Sequence, residues 1–228
     1  MRRWAIFAVL LLATAAAPAL QRTANSPSFS CVGTLTPAET AICADPELAA
    51  WDRAIALLFP VKRKSGELTL LHQREWLDRR DRCGSDIPCL NSAYFEWPGY
   101  NSDSGSLREL AGFGRTFTRS GGEDPSDLEI LSLGDGWYLF SVQAQYNVYD
   151  DRGKYLTSNT GGADGMLHLN GSNGHYKDDA DDVEDDPSCN IDFFHQRDGS
   201  WTLNDNFQCG GLHVTLTGDY RPDRRRKH

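Results

Sequence analysis

The sequence lacks the short motifs by which many enzyme families are identified. It contains no G-x-S-x-G nucleophile turn, no H-E-x-x-H zinc motif and no G-x-G-x-x-G phosphate loop. No C-x-x-C pair occurs, and no histidine cluster lies beside a cysteine, which argues against a zinc site. The sequence therefore predicts no catalytic residues, no metal site and no cofactor.

Long hydrophobic runs are also absent. The apolar run Ala5–Ala16 is shorter than the about 20 residues that a membrane-spanning helix needs. It follows the basic pair Arg2-Arg3 and precedes the small residues of Ala17-Pro18-Ala19, as in a secretory signal peptide. Residues 1–19 are therefore predicted to be a signal peptide cleaved near Ala19. The mature protein is expected in the periplasm or outside the cell, with no membrane span.

Basic residues are fewer than acidic ones. The chain has 23 basic and 32 acidic residues, a net charge of −9. Removal of the leader takes away Arg2 and Arg3 and no acidic residue, which leaves 21 basic against 32 acidic residues and a charge of −11. Such a protein repels nucleic acid and attracts cationic partners by long-range steering. We therefore expect a cationic protein as the partner and no nucleic acid.

One acidic run, Asp178–Asp186, concentrates this charge. It lacks the glycine and the ligand spacing of a calcium loop. A solvated loop is one interpretation, weak binding of a divalent cation is another, and electrostatic attraction of a cationic partner is the third. The residues of this candidate partner-binding site are Asp178, Asp179, Asp181, Asp182, Glu184, Asp185 and Asp186.

Six cysteines in an exported chain predict three disulfides. Among the first four, the local bridges Cys31–Cys43 and Cys83–Cys89 would each close a short loop. The crossed bridges Cys43–Cys83 and Cys31–Cys89 would instead tie two helical arms together. The spacing leaves both patterns open, and we favour the local pairs.

The third bridge is predicted from hairpin geometry. A hairpin with Asp198-Gly199 at its tip and Gly199 at its centre would set Cys189 directly opposite Cys209. The Cβ atoms of directly opposed residues lie within reach of a disulfide. We therefore predict the bridge Cys189–Cys209.

Helix signals recur between the first four cysteines. Thr36 with Pro37 and Glu39 is a helix start, and Asp45-Pro46-Glu47 repeats it. Pro60 is expected to disturb the second helix. The apolar stripe predicted for that helix consists of Leu48, Trp51, Ile55, Leu58 and Phe59.

A third helix is predicted over Glu67–Arg82 and a short fourth over Ile87–Phe95. The third helix is expected to turn four side chains inward, namely Leu68, Leu71, Trp76 and Arg79. An ion pair between Arg80 and Asp52 would join the second and third helices. A solvated position for Arg80 is the alternative.

The pattern changes to a two-residue period after a polar linker. Predicted strands are Asp127–Leu133, Trp137–Tyr146, Ala163–Leu169, Cys189–His195, Ser200–Asn204 and Leu212–Thr217. The alternation in the second of these puts five side chains on one face, namely Tyr138, Phe140, Val142, Ala144 and Tyr146. Closely spaced strands with Gly, Asn and Asp turns favour an antiparallel sheet or small barrel. We therefore predict an α+β protein with a disulfide-stapled helical hairpin module. The predicted organisation is a signal peptide (1–19), the helical module (31–97), a linker (98–110), a β domain (111–221) and a basic tail (222–228).

The helical segment resembles the LprI-type lysozyme-inhibitor family. The motifs that carry the resemblance are Cys31, T-P-x-E-x-x-I-C at 36–43, D-P-E-L-A-x-x-D at 45–52, Q-x-x-W-L-x-x-R-D-x-C at 73–83 and C-L-x-x-x-Y at 89–94. The resemblance covers Cys31–Trp97 and implies an exported, helical, bacterial module. Phe59-Pro60 departs from the family, which usually has a tyrosine in a continuing helix there. Some members of that family inhibit lysozyme.

Three functions follow as hypotheses. The first is a non-enzymatic envelope protein that binds a cationic protein such as lysozyme and, as an inhibitor, would block its activity. The second is a structural or stress-related periplasmic protein that does not bind lysozyme. The third is an envelope hydrolase with paired carboxylates, for which no pair stands out in the sequence. An inhibitor usually plugs a catalytic cleft with a protruding loop, and no loop is singled out by the sequence.

Overall fold

The computed structural model describes residues 26–99, 114–120, 124–178 and 188–223. In these ranges, four helices precede a closed antiparallel barrel of eight strands. The helices are α1 (Pro37–Ala44), α2 (Pro46–Ser65), α3 (Leu70–Arg82) and α4 (Ile87–Phe95). The strands are β1 (Arg115–Arg119), β2 (Ser126–Gly134), β3 (Trp137–Tyr149), β4 (Tyr155–Asn170), β5 (Asn173–Lys177), β6 (Asn190–His195), β7 (Trp201–Asp205) and β8 (Gly218–Pro222). The α+β class is confirmed, and the barrel is the more specific architecture.

Parts of the predicted organisation lie outside the described residues. These are the signal peptide (1–19), most of the linker (98–110) and most of the basic tail (222–228). Within the described ranges, no helix combines the length and the apolar character that crossing a membrane requires.

The first two helices begin where the sequence predicts. Thr36 Oγ1 accepts the backbone N–H of Glu39 at 3.1 Å, and the Glu39 carboxylate accepts the N–H of Thr36 at 2.8 Å. This reciprocal capping box satisfies two donors that the helix leaves unpaired. The Asp45 carboxylate likewise accepts the N–H groups of Glu47 and Leu48 at 2.9 and 3.1 Å. Local side-chain chemistry thus fixes both starts.

Helix α2 continues through Pro60, which contradicts the expected disturbance. A proline inside a helix removes one hydrogen bond to the carbonyl four residues earlier. Pro60 and Ala56 are both exposed, so water can solvate the carbonyl that loses its partner. The helix instead ends at Gly66, which adopts the left-handed conformation with φ 85°.

Helix α3 begins at Leu70 rather than Glu67, because Thr69 caps it by accepting the N–H of His72 at 3.2 Å. Its inward side also differs from the prediction. Trp76 is buried as expected, but Leu71 is 61% exposed.

Arg80, one position after the predicted Arg79, is the buried arginine of α3. Trp76 and Arg80 are four residues apart and share one face of the helix. Leu68, which precedes the helix, is buried as predicted.

The four cysteines of the helical module form the two local bridges. Cys31 is bonded to Cys43 with a Cα–Cα distance of 5.8 Å, and Cys83 to Cys89 with 5.5 Å. The first bridge attaches the N-terminal segment to α1, and the second joins the end of α3 to α4. The crossed pairing is therefore not the one adopted.

The strands of the barrel follow one another around its wall in chain order. β8 pairs with β1, with Phe117 opposite Pro222, and this pairing closes the barrel. Closure leaves the wall without a free edge strand of the kind that invites aggregation. The described strands β1 and β5 are two that the sequence did not predict.

The predicted strand Leu212–Thr217 is wrong. This segment forms an irregular loop because the Asp205 carboxylate accepts its backbone N–H groups. The bonds come from Leu216 at 3.2 Å and Thr217 at 2.9 Å. Donors held by a side chain are unavailable to a neighbouring strand, so the last strand begins only at Gly218.

The register of β6 with β7 differs from the prediction by two residues. A hairpin centred on Gly199 would set Ile191 opposite Phe207, whereas Ile191 pairs with Asp205. The turn is shifted because the Asp198 carboxylate accepts the backbone N–H two residues later, at 3.0 Å. The predicted centre was therefore wrong.

The disulfide Cys189–Cys209 nevertheless forms, with a Cα–Cα distance of 4.7 Å. Strand β7 ends at Asp205, and Phe207 then takes a left-handed conformation with φ 62°. Asn206 still donates its backbone N–H to the Asn190 carbonyl at 3.1 Å, so Cys209 bonds to Cys189 from beyond the paired residues and not from a position directly opposite. The bridge was predicted correctly, but from an incorrect pairing.

Alternating residues of β2 and β3 belong to two separate cores. The inward face of β3 is the predicted one and consists of Tyr138, Phe140, Val142, Ala144 and Tyr146. The outward residue Leu139 instead joins the core of the helical module, together with Leu131 and Leu133 of β2. The helical module is therefore docked on the outer wall of the barrel.

Candidate functional site

Strands β3 and β4 form a hairpin whose outer part projects beyond the neighbouring strands. The ladder with β2 reaches Ala144, and on the other edge Gly161 bridges Gly210. Residues 146–159 continue as a two-stranded ribbon, which we call the arm. Its paired part covers three residue steps of β3, or about 10 Å at the rise of a strand. The arm is thus a projection and not part of the barrel wall.

The tip of the arm is held in one conformation by Asp150. Its carboxylate accepts the backbone N–H groups of Arg152 at 2.9 Å and Lys154 at 2.8 Å. Its backbone closes the turn, donating to the Lys154 carbonyl and accepting from Gly153, both at 2.9 Å. Gly153 has φ 76°, a conformation that glycine adopts without strain. The tip is therefore ordered without a partner.

Large side chains stand exposed on both strands beside this tip. Tyr149 is 55% exposed, Tyr155 51% and Leu156 57%. The two tyrosine rings meet edge to face with centroids 6.0 Å apart. Exposed apolar groups gathered on a projection mark an interaction surface more often than scattered ones do.

Neighbouring loops hold the root of the arm. Asn147 donates its backbone N–H to the Asp124 carboxylate at 2.9 Å. On the other strand, the Asn159 side-chain amide donates to the Leu212 carbonyl at 2.7 Å. These contacts fix the direction in which the arm leaves the barrel.

The loop that contacts the arm, residues 206–217, is organised by Asp205. The carboxylate of Asp205 accepts hydroxyl hydrogen bonds from Thr215 and Thr217, both at 2.6 Å, in addition to the backbone bonds described above. The loop presents Phe207 and Leu212, which are 66% and 73% exposed. The arm and this loop together place exposed apolar side chains at one end of the barrel.

The first residue of the predicted acidic site, Asp178, lies at this same end. β5 runs parallel to β3 because each is antiparallel to β4, so Lys177 ends at the arm side of the barrel. Asp178 follows and donates its backbone N–H to the Cys189 carbonyl at 2.9 Å. The remaining carboxylates lie outside the described residues, namely Asp179, Asp181, Asp182, Glu184, Asp185 and Asp186.

A second polar cluster lies inside the helical module. One Asp52 oxygen accepts both the backbone N–H and the hydroxyl of Ser28. The other accepts the Tyr94 hydroxyl at 3.2 Å and lies 3.6 Å from Arg80 Nη1. The proposed Arg80–Asp52 pair is therefore formed, and both side chains are buried.

Electrostatics identify this cluster as structural. Burial raises the pKa of Tyr94 far above its ordinary value, and the nearby Asp52 carboxylate adds to the effect. Burial lowers the pKa of Arg80, but Tyr94, Asp81 and Asp52 outweigh it and the net shift is upward. The raised pKa values keep Tyr94 and Arg80 protonated at neutral pH, whereas an acid or base catalyst needs a pKa near its working pH.

Across residues 26–99, 114–120, 124–178 and 188–223, no group of three or more His, Cys, Asp or Glu side chains is placed to hold a metal ion. The six cysteines are all in disulfides. Among the described residues, the arm is the candidate contact surface.

The arm was not predicted from the sequence. One predicted strand ends at Tyr146 and the next begins at Ala163, with no predicted element between them. A signal was present, because Asn147-Val148-Tyr149 and Tyr155-Leu156-Thr157 flank a short turn that contains aspartate and glycine. Extending the two strands inward to that turn would have predicted the hairpin, but not that it projects beyond its neighbours.

No family model, curated protein or solved structure matches this chain in comparisons with known proteins. The resemblance of Cys31–Trp97 to the LprI-type family thus stays a prediction from residue motifs. The arm and its supports are observed directly in the fold, whatever family the chain belongs to.

Proposed function

We propose that this protein is an exported bacterial envelope protein that binds and inhibits a lysozyme through its arm. The signal-peptide pattern of residues 1–19 and the LprI-like motifs of residues 31–97 support export and this class of partner. The proposal is non-enzymatic and requires no metal or cofactor. The observation that carries it is the projecting arm with its ordered tip.

The composition of the arm suits a binding surface. Residues 146–159 contain three tyrosines, two asparagines, one serine and one glycine. Antibody binding loops are enriched in these residue types, because tyrosine supplies a large contact area at a low entropic cost and the others supply adaptable hydrogen bonds. Tyr149 and Tyr155 are the exposed aromatic anchors of this surface.

The order of the tip supports tight binding. Ordering a flexible loop on association costs free energy that reduces affinity. The Asp150 hydrogen bonds to Arg152 and Lys154 set the tip conformation beforehand. A narrow, rigid ribbon also has the shape needed to enter a substrate cleft, whereas the wall of a barrel does not.

The charge of the chain favours a basic partner. The mature chain carries 21 basic and 32 acidic residues, and lysozymes are often strongly basic. Opposite net charges speed diffusional encounter, and salt screens the attraction. Association with lysozyme should therefore be faster at low salt than at high salt.

A turbidity assay tests this proposal. Purified mature protein is added in molar excess to a basic egg-white lysozyme acting on bacterial cell walls. We expect slower clearing with the wild-type protein. The Tyr149→Ala/Tyr155→Ala variant should lose most of the inhibition. Truncating an aromatic side chain that becomes buried on binding costs about 2 kcal/mol or more of binding free energy in many interfaces.

Two exposed leucines provide a matched control. Leu156→Ala removes a side chain of the arm, and Leu71→Ala removes one of similar exposure in the helical module. Loss of inhibition with the first variant alone supports contact through the arm. Loss with Leu71→Ala alone would move the contact to the helical module. If excess wild-type protein leaves clearing unchanged at low and moderate salt, lysozyme inhibition is wrong and a structural envelope role replaces it.

A further inference from the structure

The outermost side chains of the arm carry a charge pattern that differs from the rest of the protein. Arg152 and Lys154 are both exposed at the tip, with Asp151 beside them. The carboxylate of Asp150 is turned onto the tip's own backbone. In a chain of net charge −9, the exposed charges that remain at the tip are therefore two cations and one carboxylate, an excess of one positive charge.

Cations on a narrow projection match a carboxylate-lined cleft. Glycoside hydrolases of the lysozyme type cleave their substrate between two carboxyl groups. A guanidinium can bind a carboxylate through two parallel hydrogen bonds, which are stronger than bonds between neutral groups. We infer that Arg152 is the specificity-determining residue of the arm and engages the carboxylates of the partner's cleft, with Lys154 as a second, weaker contact. This inference rests on the proposed inhibitor function.

Long-range attraction between the two proteins would act first, and contact between the arm and the cleft would follow. At long range the acidic surface attracts a basic enzyme, with an interaction that decays over about 8–10 Å at physiological salt. At contact range only the arm enters the cleft, and there the local charges decide the fit. A basic enzyme with acidic catalytic groups thus meets a complementary charge at both distances.

The position of Arg152 is set before binding. Its backbone N–H is bonded to Asp150, and the next residue, Gly153, donates to the Asp150 carbonyl. Only the side chain of Arg152 must be ordered on association, which limits the entropic cost. A cation on a disordered loop would not share this advantage.

Binding and inhibition of egg-white lysozyme by single variants test the inference. We expect Arg152→Ala to weaken binding about tenfold or more, the usual effect of losing a charged hydrogen-bond partner. Lys154→Ala should weaken it less. Arg197→Ala is the matched control, since Arg197 is an exposed arginine on the hairpin turn at the opposite end of the barrel. Its affinity should equal that of the wild type.

A competition experiment locates the contact. A chitin trisaccharide that fills the lysozyme cleft should compete with the wild-type protein. If Arg152→Ala weakens binding but the trisaccharide does not compete, the arginine acts outside the cleft and the inference is overturned. Circular dichroism confirms that the variants are folded.

Failure of the inference is distinguishable from failure of the proposed function. If Arg152→Ala/Lys154→Ala inhibits like the wild type while Tyr149→Ala/Tyr155→Ala does not, the arm is the inhibitor but its cations are not the determinant. If the wild type itself neither binds nor inhibits, the proposed function and this inference fall together.

Discussion

Arg53 of α2 donates a hydrogen bond from its Nε to the backbone carbonyl of Leu133 at 3.0 Å. Leu133 belongs to β2, so this bond joins the helical module to the barrel. A second bond, from Nη1 of Arg53 to the Ser26 carbonyl at 2.7 Å, attaches the N-terminal segment to the same place. One side chain therefore links three parts of the chain, and burial lowers its pKa although Asp135 and Asp52 act against that shift.

Replacing Arg53 should destabilise the protein. Arg53→Ala leaves the carbonyls of Leu133 and Ser26 without this donor, and losing a partner in a part-buried position costs about 1–3 kcal/mol. Equilibrium unfolding in urea measures the loss. Arg63→Ala, on the exposed side of the same helix, is the control and should change stability by about 0.5 kcal/mol or less. Equal effects of the two changes would contradict the linking role.

The adjacent arginines Arg79 and Arg80 of α3 should contribute very differently to stability. Arg80 is buried against Asp52, whereas Arg79 forms a surface pair with Glu96 at 3.3 Å. Breaking a buried pair leaves an uncompensated charge and costs about 3–5 kcal/mol, while an exposed pair is worth about 0–1 kcal/mol. Arg80→Met should therefore lower the free energy of unfolding far more than Arg79→Met. Similar losses would show that the buried pair is not required.

Stability should fall in alkaline solution because two tyrosines are buried. Burial raises the pKa of Tyr94 and of Tyr220 above the ordinary value of about 10. The folded state therefore holds these protons more tightly than the unfolded state, so the contribution is complete below pH of about 10 and is lost above it. Each tyrosine adds a slope of about 1.4 kcal/mol per pH unit between its unfolded and folded pKa.

Substitution of Tyr94 tests how much of the fall in the free energy of unfolding at alkaline pH comes from this residue. Urea unfolding at several pH values above neutrality should show a shallower decline for Tyr94→Phe than for the wild type. The variant also loses the hydrogen bond to Asp52, so its stability is lower at neutral pH, and only the slope is diagnostic. An unchanged slope would contradict the assignment to Tyr94.

The acidic run should control the rate of association with a basic partner. Changing the seven carboxylates from Asp178 to Asp186 to amides removes the charge of the run that begins at Asp178, the residue held at the arm end. We expect the rate constant for binding egg-white lysozyme to fall about tenfold at low salt, within the range of electrostatic steering. Stopped-flow measurements repeated at about 1 M salt are the control, since a Debye length of about 3 Å should abolish the difference. An unchanged rate at low salt would refute the steering hypothesis.

Helix ends were predictable from the sequence, because a cap acts over three or four residues. Thr36 and Asp45 satisfy donors in the first turn of their own helices. The prediction for Pro60 failed because the outcome depends on whether the released carbonyl faces water, which only packing decides. Arg79 was predicted to face inward, but Arg80 is the buried arginine, and this prediction failed for the same reason.

In the β domain, more of the observed features could not be predicted from the sequence. The alternation in β3 identified its inward face correctly, since side chains alternate along any strand. Nothing local showed that Leu139 on the other face would meet the helical module. The loop around Asp205 likewise depends on a carboxylate that lies ten or more residues from the groups it binds.

The α+β class and the helix starts at Thr36 and Asp45 were predictable from the sequence, because they depend on a simple periodicity or on residues that are close along the chain. The pairing of the first four cysteines was left open by their spacing. The tertiary structure alone decided the closure of the barrel, the docking through Arg53 and the emergence of the arm at the same end as Asp178. These features follow from pairings between distant strands, whose register and order set where every loop leaves the barrel. The sequence of the arm contains the pattern of two strands and a turn. The arm projects because the elements that pair with β3 and β4 on either side end before it does.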